Sequence, residues 1–223
     1  AIALGQVPVE HWHALGRTMT RVGRRTALLF WSGSMFEYLM PWIFMRTYQD
    51  TVWDVTYRAV VKRQVEYAHQ RGVPFGISES AYYAFDYLMN YQYRAFGVPG
   101  LGFKRGLEQD LVVAPYATIL GLPFAKKQGI QDLRKMTELG ALGRFGFYEA
   151  LDFTPERLPE NKTSVVVKSY MSHHQGMSML ALANTVLPQK IYERFHRDKR
   201  VQAAELLLQE RMPARPKIKK HPN

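Results

Sequence analysis

Two glutamates follow the same kind of aromatic-glycine turn seventy residues apart, Glu79 in FGISES at residues 75–80 and Glu149 in FGFYEA at residues 145–150. A looser third version, WSGSMFEY at residues 31–38, carries Glu37. Carboxyl groups repeated among aromatics suit cleavage of a glycosidic bond, in which one carboxyl group protonates the leaving oxygen and a second attacks the sugar or activates water. Tyr82, Tyr83, Tyr91, Tyr93, Tyr116 and Tyr148 offer flat faces for the apolar sides of pyranose rings and hydroxyls for their rims. Arg94 could hold sugar hydroxyls or orient a carboxylate. A plainer reading stands beside this one. A glutamate after a turn is favoured at a helix start by the dipole, and tyrosines at helical spacing are usually core.

The second conspicuous stretch is YMSHHQGMSML, residues 170–180. Adjacent histidines on a helix point about 100° apart, whereas metal-binding helices place them four residues apart, so no metal is expected. Either His173, His174 and Gln175 hydrogen-bond a substrate at a cavity mouth, or the histidines are a buried pair bonded to backbone. Met177 and Met179 read as core packing. GVPGLGFKRG, residues 97–106, lacks the G-K-[ST] ending of a phosphate loop, and no cofactor is expected.

These residues need a scaffold, and the pattern around them is mostly helical. Asp50 is the expected N-cap of a helix ending at Gly72, in which Val52, Val55, Ala59, Val60 and Tyr67 recur near helical spacing. Further helices are expected over 9–25, 36–46 with a kink at Pro41, 79–89, 111–122, 131–139, 174–187 and 199–211. Residues 90–106 read as a long glycine-containing loop or hairpin and TSVVVKSYM, residues 163–171, as a short strand. Helical hairpins that each open on an aromatic-glycine turn describe an all-α fold, an α/α toroid of the six-hairpin barrel type, with short β elements in its loops. AIALGQVPVEHW begins on an apolar run without a cap, so the toroid is expected to lack its N-terminal part.

Composition narrows the classes. The chain has 223 residues, 47% of them apolar and 13% aromatic, which is enough for a packed core with aromatic surface, and no cysteine, so no disulfide framework. Net charge is +11, but Arg17, Arg21, Arg24, Arg25 and the tail cations Arg211, Arg215, Lys217, Lys219 and Lys220 account for most of it. The rest is close to neutral, so those cations read as a solvated helix face and a linker, and nucleic acid is not an expected partner. TALLFWSGSMFEYLMPWIFM, residues 26–45, is long enough to cross a bilayer, but Glu37 in its middle and the Ser32-Gly33-Ser34 turn favour two buried elements. No membrane span or signal peptide is expected.

The blocks SGSMFEYLMP, RGVPFGISESAYY, NYQYRAFGVPGLGFKRGL, DLVVAPYAT, GALGRFGFYEALDFTPERLP and SYMSHHQGMSMLALAN together resemble the glycoamylase-like, cyclising domain of bacterial cyclic β-1,2-glucan synthases. The resemblance runs from about Val7 to about Met212. It implies an α/α toroid similar to endo-β-1,2-glucanases, which transglycosylates a linear β-1,2-glucan into a ring, or, as the alternative, hydrolyses or merely holds it. It further implies a cytoplasm-facing position in a large inner-membrane polypeptide, between a glucosyltransferase region and a glycoside phosphorylase domain. On this analogy Glu79 falls on one of two catalytic glutamates, and the other lies upstream of Ala1. Glu37, Tyr82, Tyr93, Arg94, Tyr148, Glu149, His173, His174 and Gln175 are expected to line the substrate cavity. The domain is expected over residues 1–211, with residues 212–223 a basic, proline-containing linker.

Overall fold

The computed structural model describes residues 1–187 and 189–212. In chain order the elements are α1 (His11–Ala14), β1 (Met19–Val22), β2 (Arg25–Leu28), α2 (Met35–Phe44), α3 (Val52–Arg71), β3 (Ser80–Phe85), β4 (Tyr91–Arg94), β5 (Val112–Val113), α4 (Pro115–Gly121), α5 (Lys126–Glu138), β6 (Leu142–Gly143), β7 (Gly146–Phe147), β8 (Ala150–Asp152), β9 (Val165–Val167), α6 (Ser172–Val186), α7 (Lys190–Phe195) and α8 (Lys199–Ala204). Helices predominate, so the all-α expectation holds in part. The strands pair antiparallel as β1-β2, β3-β4, β5-β8-β9 and β6-β7, and no barrel closes among the described residues.

The core lies where α2, α3 and α4 meet, around Met35, Tyr38, Leu39, Ile43, Val60, Phe75, Ile77 and Leu120. Helix α2 starts because the Ser34 side chain accepts from Glu37 N, and it continues through Pro41. The first residues of the 26–45 window form β2 and the last form α2, joined across Ser32–Ser34, which is the two-element arrangement expected. Among the described residues no helix is long and apolar enough to cross a membrane.

Helix α3 is capped by Thr51, whose hydroxyl accepts from Asp54 N, and not by Asp50, which takes the left-handed φ of 61° and donates its own N–H to Asp54. It stops at Gly72, whose φ of 70° suits a residue without Cβ. Its buried Gln64 acts as a strand edge: Nε2 donates to Ile77 O at 2.8 Å and Oε1 accepts from Ile77 N at 3.0 Å. From the other side Ala114 N donates to Gly76 O at 2.9 Å, and Asp132 of α5 accepts from Phe75 N at 3.1 Å. The segment leading to Glu79 is therefore fixed from three elements.

Several expected helices differ. Only His11–Ala14 of the 9–25 helix forms; Gly23, at φ 58°, turns the rest into the β1-β2 hairpin, so the arginines there sit on a ribbon and not a helix face. The 79–89 helix is strand β3, for its backbone pairs with β4. The 111–122 helix starts only at Pro115, the 131–139 helix begins earlier at Lys126, and the 199–211 helix gives way to a 3-10 turn from Glu205. The 163–171 strand is confirmed as β9, and residues 90–106 open with β4 of a hairpin. The expected linker lies, from residue 213 on, outside the described residues.

Candidate active site

Glu79 immediately precedes β3, and the hairpin register sets its neighbour. Ala81 pairs with Tyr93, and residues two apart on a strand share a face, so Glu79 lies diagonally beside Tyr93. The register places the Tyr93 hydroxyl beside the Glu79 side chain, where its hydrogen-bonding influence favours the carboxylate. The backbone at Glu79 is held by Tyr116 of α4, whose hydroxyl donates to Glu79 O at 2.8 Å and lies 2.8 Å from Ser78 Oγ. Partial burial raises the proton affinity of the Glu79 carboxyl group, and the nearby Glu37 charge adds to that, while His174 and the Tyr93 bond oppose it. The helix-start alternative fails for Glu79, which begins no helix. It holds for Glu37, in the first turn of α2, whose carboxylate accepts from Ser32 N and Gly33 N at 2.9 Å each.

Glu149 is 2% exposed and His174 1%. His174 Nδ1 lies 2.9 and 3.1 Å from the two Glu149 oxygens. A carboxylate only accepts, so Nδ1 carries a proton and Nε2 faces Tyr93, whose hydroxyl is 3.5 Å away. The Tyr116 ring stacks on the imidazole with centroids 3.7 Å apart and planes 10° apart. Glu149 also accepts from Ala81 N at 3.3 Å, which joins the second aromatic-glycine turn to the hairpin of the first. His173 is largely exposed, and the partial desolvation of its ring and the adjacent His174 lower its proton affinity. The histidines are therefore not a buried pair bonded to backbone: one is buried on a carboxylate and the other opens to solvent. Among the described residues no three His, Asp or Glu side chains group as metal ligands.

The remaining candidates divide. The Tyr148 ring lies tilted by 33° against Tyr170, with centroids 5.0 Å apart, and borders, with Tyr116, Phe147, Glu149, His174 and Gln175, a pocket of about 220 Å³. Gln175 Nε2 donates to Phe147 O at 3.1 Å. Tyr82 sits under two guanidinium groups, those of Arg94 and Arg157, each 5.0 Å from its ring. Arg94 is also ion-paired with Asp110. Met177 is core as expected, but Met179 is 69% exposed and borders the same pocket. The sequence reading did not single out Asp110, Asp152 and Arg157. Arg157 bridges Asp110 at 2.6 Å and Asp152 at 2.7 Å, and Asp152 accepts from Tyr83 N at 3.1 Å. No local pattern marks them as a group, since Asp110 lies 47 residues from Arg157 and Asp152 reaches Tyr83 across 69 residues.

The site gathers carboxyl groups and tyrosines on a helical scaffold with short hairpins, and the comparisons agree in fold. The chain belongs to the Glycoamylase family, described as "Putative glucoamylase", whose sequence model matches residues 3–199. It is similar to the cyclic beta-(1,2)-glucan synthase NdvB of Rhizobium meliloti, with 48% identity over 213 residues that cover 96% of this chain and 8% of NdvB. Among solved structures, a "putative glucoamylase" of Bacteroides fragilis superposes with TM-score 0.63 at 18% identity, over 90% of this chain and 47% of that one. An endo-beta-1,2-glucanase of Talaromyces funiculosus solved with sophorose superposes with TM-score 0.51 at 17% identity, over 91% and 44%.

Proposed function

We propose that this chain is the part of a cyclic β-1,2-glucan synthase that transfers a glycosyl bond and closes a linear β-1,2-glucan into a ring. The observation that carries the reading is the 48% identity to NdvB across 96% of the chain. Glu79 is assigned to bond cleavage because it is the one of the three repeated glutamates whose side chain is not committed to protein N–H donors. Glu37 serves Ser32 and Gly33, and Glu149 serves His174 and Ala81. The second carboxyl group is assigned to a longer polypeptide, since this chain matches only 8% of NdvB. In a retaining transfer one carboxyl group, or a sugar hydroxyl relaying its proton, assists departure of the leaving chain while the other attacks the anomeric carbon; a glucan hydroxyl then accepts the glycosyl group in place of water. Tyr82, Tyr93, Arg94, Tyr148, His173 and Gln175 are assigned to the groove wall, where holding the chain end raises its effective concentration against water.

The scaffold we assign is part of an α/α toroid spanning residues 1–211, followed by a linker. Met179, Leu182 and Val186 form an exposed apolar stripe on α6, which a further helix would cover. Neighbouring glucosyltransferase and phosphorylase modules on the cytoplasmic side of the inner membrane are the corresponding partners. The second reading is an endo-acting hydrolase, favoured by the fold likeness to the Talaromyces endo-beta-1,2-glucanase.

The test is to incubate the longer polypeptide with linear β-1,2-glucan and weigh the products by mass spectrometry, for wild type and Glu79→Gln. Products lighter than their linear counterparts by one water, lost in a variant that still folds, support the cyclase. Short reducing oligosaccharides instead support the hydrolase. Unchanged products in Glu79→Gln refute the assignment of Glu79.

A further inference from the structure

We infer that Glu79, Tyr93, His174 and Glu149 form one proton-conducting chain, in which the Tyr93 hydroxyl passes a proton between the Glu79 carboxyl group and His174 Nε2 while Glu149 holds the imidazole from behind. Its catalytic meaning rests on the assignment of Glu79 to bond cleavage; the chain itself rests on the hairpin register and on the contacts of His174 with Tyr93 and Glu149. His174 and Glu149 are then positioning residues acting through Tyr93, and not sugar contacts.

Each link is fixed by a different element. Glu149, just before β8, accepts a hydrogen bond from Nδ1–H at 2.9 Å, which turns Nε2 toward Tyr93 at 3.5 Å. Tyr93, on β4, reaches Glu79 across the hairpin. The imidazole cannot swing away, since Tyr116 covers its face at 3.7 Å and the side chain is 1% exposed. The titratable groups that face this chain are Glu37 on α2, Tyr116 on α4 and His173 on α6. Burial, with the charges of Glu79 and Glu149, pushes Tyr93 well above an ordinary phenol, so it stays protonated at either end of the transfer.

The step balances. With Glu79 protonated, its O–H donates to the Tyr93 oxygen and the Tyr93 O–H donates to Nε2. Moving both protons together breaks those two O–H bonds and forms a new Tyr93 O–H and an Nε2–H. It ends with a Glu79 carboxylate accepting from Tyr93, and an imidazolium beside Glu149. Tyr93 is unchanged, net charge is conserved, and the buried Glu149 carboxylate compensates the imidazolium. The arrangement lets Glu79 surrender its proton to the protein and recover it between the two halves of a transfer.

The experiment follows the His174 imidazole by NMR titration of the 223-residue chain as wild type, Glu79→Gln and Tyr93→Phe. In Glu79→Gln the His174 midpoint should move to lower pH by about one unit, a tenfold loss of proton affinity. In the Tyr93→Phe background the same replacement should move it by less than half as much. An unmoved midpoint in Glu79→Gln overturns the inference, and so does an equal shift with and without the Tyr93 hydroxyl, which would mean a through-space field alone. In the longer polypeptide, His174→Gln should move the Glu79-dependent limb of the pH–rate profile to higher pH, where a merely structural role would lower the rate equally at every pH. A coupled titration without any glucan product would sink the proposed function and leave the proton chain standing.

Discussion

Removing the Asp152 carboxylate tests whether the site hairpin is held by buried charge or by its own strand pairing. Asp152 is 0% exposed and accepts from Tyr83 N at 3.1 Å, Thr154 N at 2.9 Å, and Arg157 Nε and Nη2 at 2.7 and 3.1 Å. Asp152→Ala strips β3 of its anchor at Tyr83 and leaves Arg157 with Asp110 at 2.6 Å. Breaking a buried ion pair by deleting one partner costs about 3–5 kcal/mol. Because Asp110 still faces the guanidinium, whose side chain is 17% exposed, the lower end of about 3 kcal/mol is expected. With a urea m-value of about 2 kcal/mol/M, the unfolding midpoint should fall by about 1.5 M. Arg157→Met removes the other partner, and the double variant should be less destabilised than the sum of the singles by about 1.5 kcal/mol or more. Strict additivity, within about 0.5 kcal/mol, would refute the idea that these two groups act as one anchor.

Glu79 should cost stability at neutral pH. Its carboxyl group binds protons more tightly folded than unfolded, mainly through burial, so stability falls as pH rises past the ordinary carboxylate value of 4.5. Glu79→Gln should therefore melt higher than wild type at pH 7, and the difference should close as the pH is lowered below 4.5; a Glu79→Gln chain that melts lower at pH 7 refutes this. Glu205 has the opposite sign. Its hydrogen bond from Tyr48, with His196 and Arg46 beside it, lowers its proton affinity, so it stabilises the folded chain above the carboxylate range and that contribution disappears as the solution is acidified. Glu205→Gln should lower the melting temperature at pH 7 and have little effect in acid; equal losses at both values would count against it. At Gly97 an added Cβ would stand 1.6 Å from Ser32 O, within the turn whose amides Glu37 holds. Gly97→Ala should destabilise by about 1–3 kcal/mol in denaturant titration, and wild-type stability would show that the loop yields freely.

What the sequence disclosed follows from where each constraint lies. Helix α3 was legible because its cap region, its buried row and Gly72 are all local; only the cap moved by one residue, to Thr51. Strand β3 was not, because nothing inside SAYYAF alternates cleanly between buried and exposed positions. Its conformation is imposed by acceptors far along the chain, since Ala81 N donates to Glu149 and Tyr83 N to Asp152, 68 and 69 residues away. The same distance explains the site. The repeated aromatic-glycine turns pointed to Glu79 and Glu149 together, but residue types could not say that one keeps a partly open carboxyl group while the other is spent on His174. The internal repeat thus brings both glutamates to one hairpin, where Glu149 accepts from Ala81 N two residues beyond Glu79.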